Sequence, residues 1–138
     1  MDFVNVRPGR KAGHDIELAK VLPTVLRARP AAVLFEAANP RHAHDWQTWA
    51  EAEIPDDKVL IPGVITSTSN YVDHPAHVAE LLSRYVDIVG ADRVIAGTDC
   101  GFGTFAGIGK VDPGVVLKKL SALVEGARMA SNTGKGGT

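Results

Sequence analysis

The sequence predicts an α/β fold built on a parallel sheet, and three observations carry the prediction. Apolar runs of strand length stand at residues 31–35, 59–65 and 94–97, within strands expected at 31–35, 58–65 and 93–98 and covered on both faces. Segments with apolar residues at helical spacing follow each of them. The connections are too long for hairpins, so the strands pair in parallel through right-handed crossovers. With a short opening strand at 1–6, the order is strand then helix, four times over. That pattern fits both a four-stranded sandwich and half of an eight-stranded barrel.

Met1-Asp2-Phe3-Val4-Asn5-Val6 reads as the opening strand, and residues 7–13, with Pro8, Gly9 and Gly13, read as a loop. Asp15 is placed to cap a helix carrying Leu18, Leu22, Val25 and Leu26, kinked at Pro23 and ended by Arg29-Pro30. After the strand at 31–35, Asn39-Pro40-Arg41 turns the chain into a helix over 42–52. Trp46 and Trp49 share one face of it. Pro55-Asp56-Asp57 precedes the strand at 58–65, and residues 66–73 form a polar loop. Pro75 suits the first turn of a helix, where its missing N–H costs nothing. Val78, Leu81, Leu82, Tyr85 and Val89 then recur at helical spacing until Gly90. The strand at 93–98 runs into residues 101–109, expected to be a mobile loop because of Gly101, Gly103, Gly107 and Gly109. Asp112-Pro113 caps and opens the last helix, whose apolar face is Val116, Leu120, Leu123, Val124 and Ala127. Residues 132–138 are a Gly-rich tail expected to fray.

At 138 residues the chain holds one domain, small beside a complete barrel of about 250 residues. A hydrophobic fraction of 45% and a net charge of -1 exclude a disordered chain and a polyanion binder. No basic stripe with interleaved aromatics points to nucleic acid. No apolar run approaches the ~18–20 residues of a membrane span, and no secretory pattern opens the sequence. Cys100 is the single cysteine, so no intrachain disulfide and no self-contained multi-cysteine zinc knuckle can form. A free thiol suits a reducing cytosol, which makes a cytoplasmic protein the expectation.

Ligands in open α/β sheets and in barrels bind at the carboxyl ends of the strands. Polar groups mark each of those ends: Glu36 after Phe35, Thr66 after Ile65, and Asp99-Cys100 after Thr98. Other residues have plainer roles. His42, His44, His74 and His77 fall near helix starts, as surface or capping groups, and His42 and His44 are too close in sequence to share a helical face. Trp46 and Trp49 are packing residues. The glycine segment after Cys100 lacks the spacing of a phosphate-binding loop.

Four blocks occur in register: Phe35-Glu36-Ala37-Ala38-Asn39-Pro40-Arg41-His42, Leu60-Ile61-Pro62-Gly63-Val64-Ile65, Ser69-Asn70-Tyr71-Val72-Asp73-His74-Pro75, and Val94-Ile95-Ala96-Gly97-Thr98-Asp99-Cys100-Gly101-Phe102. Together they resemble the carboxyl-terminal catalytic domain of the cobalamin-independent methionine synthase superfamily, in the branch that includes epoxyalkane:coenzyme M transferases. The resemblance runs over about residues 15–131. It leaves 1–14 as a divergent start, expected to be non-native sequence at a truncation or frameshift, and 132–138 as the tail. It implies the second half, four βα units, of a TIM (β/α)8 barrel of the methionine synthase/uroporphyrinogen decarboxylase type.

The function implied by the resemblance is zinc-dependent methyl or alkyl transfer to a thiol, as in methionine synthesis from homocysteine with 5-methyltetrahydropteroyltriglutamate as donor. Zinc there lowers the pKa of the thiol substrate as a Lewis acid. By position, Glu36 and Cys100 match metal ligands, with Asp99 and Asn70 as the groups supporting them. The chain departs from the family at Asp2 and Val4, which stand where a His-x-Cys pair belongs. It departs again at Thr66, where the family carries Asp, and at Thr68, near a family histidine. The implied site is therefore incomplete, with a thiol substrate and an alkyl donor as partners. Half a barrel also exposes its outer strand edges. Self-association, or pairing with a missing N-terminal half, is the corresponding expectation. Two alternatives remain open: a catalytically inactive remnant or interaction module of the same fold, and an α/β domain that binds a small acidic ligand without metal.

Overall fold

The computed structural model describes residues 16–105, 108–109 and 111–133. The expected opening strand, with Asp2 and Val4, and the expected cap Asp15 lie outside the described residues. In chain order the elements are α1 (Leu18–Arg27), β1 (Ala32–Glu36), α2 (Trp46–Glu51), β2 (Val59–Ile65) and α3 (Pro75–Val89). A 3-10 turn (Ala91–Arg93), β3 (Gly97–Thr98), β4 (Gly103–Phe105), β5 (Ile108–Gly109) and α4 (Pro113–Thr133) follow.

β1, β2 and β3 form a parallel sheet in that order. Ala32 lies opposite Val59 and Glu36 opposite Gly63, so β1 and β2 start level and β2 runs on past the end of β1 to Ile65. Of the four expected βα units, three are described: β1 with α2, β2 with α3, and β3 with α4. α1 precedes β1, and the strand expected before it lies outside the described residues.

One face of the sheet is buried under helices, because alternate strand residues there are large and apolar. Leu60 and Val64 of β2 pack with Leu22 and Leu26 of α1, Trp49 of α2, and Val78, Leu82 and Tyr85 of α3. Phe35 stacks on Trp49 with ring centroids 4.4 Å apart and meets Tyr85 edge-on at 5.3 Å. Burial, with the nearby Asp45 charge, holds the Tyr85 hydroxyl well above its ordinary pKa. Lys58 is buried at the start of β2, where its ammonium donates to the carbonyls of Ala28 (2.6 Å) and Pro30 (2.9 Å). This fixes the α1–β1 connection against the sheet. The opposite face carries Leu34 and Ile95, which are 62% and 53% exposed.

Pro75 opens α3, the His74 imidazole caps it by accepting from the Ala76 amide (3.1 Å), and Gly90 leaves it at φ 88°. Only glycine adopts that conformation without strain. Elsewhere the structure departs from the expected elements. α1 runs unbroken through Pro23, which removes a single helical hydrogen bond. The helix expected at 42–52 begins only at Trp46. Asn39 Oδ1 takes the Arg41 amide, and the amides of His42 and Asp45 bond three residues back, which winds tight turns instead. β3 keeps two residues of the expected 93–98, since the β2–β3 register shifts between Gly63 and Ile65. The glycine segment contains an antiparallel pair, β4 with β5. α4 extends to Thr133, into the expected tail.

α4 keeps part of the expected face on the core, with Leu123 and Ala127 packed against it, and turns the rest away. Leu120 and Val124 are exposed, whereas Lys119, Ala122, Gly126 and Ala130 are buried. Small residues win because α3 comes close. A Cβ on Gly126 would lie 2.5 Å from Val78 Cγ1 and 2.9 Å from the Pro75 carbonyl oxygen.

Candidate functional site

Glu36 ends β1, and Asp99-Cys100 follow β3 directly. The parallel register brings these strand ends together, so groups 64 positions apart meet: Cys100 Sγ donates to Glu36 Oε1 at 3.4 Å. Asp99 makes the crossing possible. Its Oδ1 accepts from the amides of Ala37 and Ala38, both at 3.2 Å, while its own amide donates to the Ile65 carbonyl at 2.9 Å. The carboxylate thus ties the peptide after Glu36 to β3, across β2. Gly63 sits between them. A Cβ there would lie 2.6 Å from Asp99 Cα and 2.8 Å from the Thr98 carbonyl oxygen, so only glycine admits this approach.

The rim raises proton affinity. Burial pushes the Asp99 carboxyl up to about 6, against the two amide hydrogen bonds that pull it down; the charge of Glu36 adds to the rise and His42 opposes it. Burial also pushes the Cys100 thiol up, and its bond to Glu36 and the Glu36 charge reinforce this. The Ser67 hydroxyl, donating to the sulfur, works the other way.

Asn70 stands elsewhere. Its Oδ1 accepts from the Asp112 amide at 3.1 Å, which fastens loop 66–73 to the start of α4. Thr66 Oγ1 lies 3.1 Å from Ser69 Oγ, within the same loop. Among the other histidines, His44 and His77 are exposed and His74 caps α3.

Three residues were not foreseen at the rim: His42, read as a surface or capping group, and Ser67 and Lys119, not singled out at all. His42 points its Nδ1 at Asp45 Oδ2 (3.0 Å) and its Nε2 toward Glu36 Oε2 (3.9 Å). Ser67 is buried and touches Cys100. Lys119, wholly buried on α4, donates to Asp73 Oδ2 (3.0 Å) and Thr66 Oγ1 (3.3 Å). A signal for Lys119 does exist. It falls in the helical series of Ala122, Gly126 and Ala130, the small residues that face α3.

Glu36 and Cys100 are of the types that bind zinc, and 3.4 Å is a reasonable donor–donor separation. Catalytic zinc takes about three protein ligands. Among the described residues no three His, Cys, Asp or Glu side chains are grouped so as to hold a metal ion. The pair fits part of a coordination shell and does not complete one.

Comparison with known proteins gives one informative likeness. No family model and no curated protein matches the chain. Among solved structures, the chain is similar to a B12-independent methionine synthase from Shewanella sp. W3-18-1 in complex with selenomethionine, with a TM-score of 0.60 and 19% identity. The match covers 83% of this chain and 30% of that one. At that identity the likeness concerns the fold alone. The parallel sheet and its βα crossovers have the form of part of a TIM-barrel-like domain. Among the described residues no helix is long and apolar enough to cross a membrane.

Proposed function

We propose that this chain is the portion of a methionine-synthase-like alkyltransferase barrel that supplies two zinc donors, Glu36 and Cys100, for the binding of a thiol substrate. The observation that carries this reading is the meeting of a carboxylate and the chain's single thiol at 3.4 Å, from the ends of separate strands. The fold of the methionine synthase neighbour supports it. Zinc would bind the substrate thiol and lower its pKa. The chain's own residues hold the rim: Asp99 fixes the backbone beside Glu36, and Ser67 steadies the Cys100 sulfur. The further donors and the contacts to the alkyl donor belong to segments other than the described residues, or to a second chain that covers Leu34 and Ile95.

A second reading, an inactive chain of the same fold, is favoured by the proton that Cys100 shares with Glu36 and by the absence of a grouped third donor among the described residues. Titration with Co²⁺, a spectroscopic substitute for zinc, separates the two. A thiolate-to-cobalt absorption band is expected, lost in Cys100→Ser and at least tenfold weaker in affinity in Glu36→Gln. Absence of the band in the unaltered chain, or indifference of the affinity to Glu36→Gln, refutes the metal reading.

A further inference from the structure

Lys119 is 0% exposed, and a buried ammonium is costly unless its partners are well placed. Those partners lie in the loop that follows β2: Asp73 Oδ2 at 3.0 Å and Thr66 Oγ1 at 3.3 Å. Asp73 is itself only 7% exposed. Ser67, between Thr66 and the rest of the loop, hydrogen-bonds Cys100. Asn70 anchors the same loop to α4 a second time, through the Asp112 amide. α4 in turn is set against α3 at Gly126, where even a methyl group is excluded. The loop is therefore held from outside by a charged pin on a closely fitted helix, and its inner side carries the hydroxyl that touches the sulfur.

We propose that Lys119 is a positioning residue for the thiol: through Thr66 and Asp73 it holds loop 66–73 so that Ser67 stays on Cys100. This rests on the proposed function only in taking Cys100 as the working group. The geometry it describes exists with or without metal.

The test uses the full chain and needs no ligand. Because Cys100 is the single cysteine, the infrared S–H stretch is one band from one thiol. Ser67→Ala sets the position of that band with the hydroxyl gone. The double variant Lys119→Met/Asp73→Leu removes both charges and leaves neither unpaired, which favours retention of the fold. Its S–H band is expected to move to the Ser67→Ala position, and adding Ser67→Ala to it is expected to cause no further shift. Thr66→Val, which removes one of the two acceptors, is expected to move or broaden the band the same way and covers the case of a double variant that fails to fold. A band at the unaltered position in the double variant, or in Thr66→Val where the double variant does not fold, overturns the proposal. A band indifferent to Ser67→Ala does so too. Cobalt binding is read separately, so failure of the metal reading leaves this result interpretable.

Discussion

Replacing Gly63 with alanine puts a methyl group where Asp99 crosses β2. The new Cβ would sit 2.6 Å from Asp99 Cα, 2.8 Å from its amide nitrogen and 2.8 Å from the Thr98 carbonyl oxygen. These are backbone atoms, and no rotamer change relieves them. Carbon–carbon contact is comfortable from about 3.5 Å, so the strands must part by roughly 0.9 Å. Taken along the Asp99 N to Ile65 O bond, that opens 2.9 Å to about 3.8 Å, beyond hydrogen-bonding range. Overpacking costs about 1–3 kcal/mol and a lost backbone bond about 1 kcal/mol, while alanine in a strand recovers about 0.5–1 kcal/mol relative to glycine. The net expectation is a loss of roughly 1–3 kcal/mol in urea unfolding followed by tryptophan fluorescence, together with a shifted Cys100 S–H band as the thiol leaves Glu36. Gly97→Ala is the control. Its first contact is the Ile61 side chain at 3.0 Å, which can turn aside, so its stability should stay within about 0.5 kcal/mol of the parent. Equal effects of the two substitutions, or an unshifted S–H band in Gly63→Ala, refute the reasoning.

Asp99 gives a pH dependence whose sign runs against the usual carboxylate. Its pKa rises from 3.8 to about 6 in the folded chain, chiefly through burial, so between those values the folded state holds a proton that the unfolded state has released. The corresponding stability is present below pH 4 and lost as pH rises through 6. At 1.36 kcal/mol per tenfold change in proton affinity, the loss is roughly 2–3 kcal/mol. Asp99→Asn keeps an acceptor for the two amides and should flatten that part of the unfolding free-energy profile; parallel profiles from pH 4 to 6.5 contradict the assignment. Gly126→Ala should gain about 1 kcal/mol in helix propensity and lose more to contact with Val78 and the Pro75 carbonyl, lowering Tm. Gly114→Ala, where a Cβ meets only Asp112 Oδ1 at 3.1 Å, should leave Tm unchanged or raise it.

Legibility in the sequence followed the reach of each interaction. α3 was readable to the residue because its signals are local: a proline in the first turn, regular apolar spacing and a glycine stop. β3 was overestimated because its length depends on pairing with β2 and on the register shift near Gly63, which no window of β3 contains. The face of α4 was read only in part, for the same reason: Leu123 and Ala127 pack on the core, Leu120 and Val124 do not. Large apolar residues suggested burial, but the close approach of α3 at Gly126 selected the small ones. At the rim, strand-end position drew attention to Glu36, Asp99 and Cys100, since it depends on local pattern alone. Asn70 followed from the family resemblance, and its Oδ1 accepts from the Asp112 amide. His42, Ser67 and Lys119 reach the rim from loops or from another helix, and only the folded chain brings them there.

Two carboxyl groups and a thiol share this rim, and both raised proton affinities have burial as their first cause. Glu36 adds to each rise, so Asp99 and Cys100 both hold their protons more tightly beside it. The backbone could have avoided the conflict by placing an apolar residue at position 99. It would then have lost the two amide bonds that hold the end of β1 to β3. The strand ends meet because a carboxylate bridges them, and that carboxylate adds, after burial and Glu36, to the hold of the neighbouring thiol on its proton. Structure and reactivity are therefore coupled at Asp99. A positive charge entering the rim relieves the repulsion between these groups. Such a rim favours a cation over an anionic ligand, which counts against the reading as a binding domain for small acids.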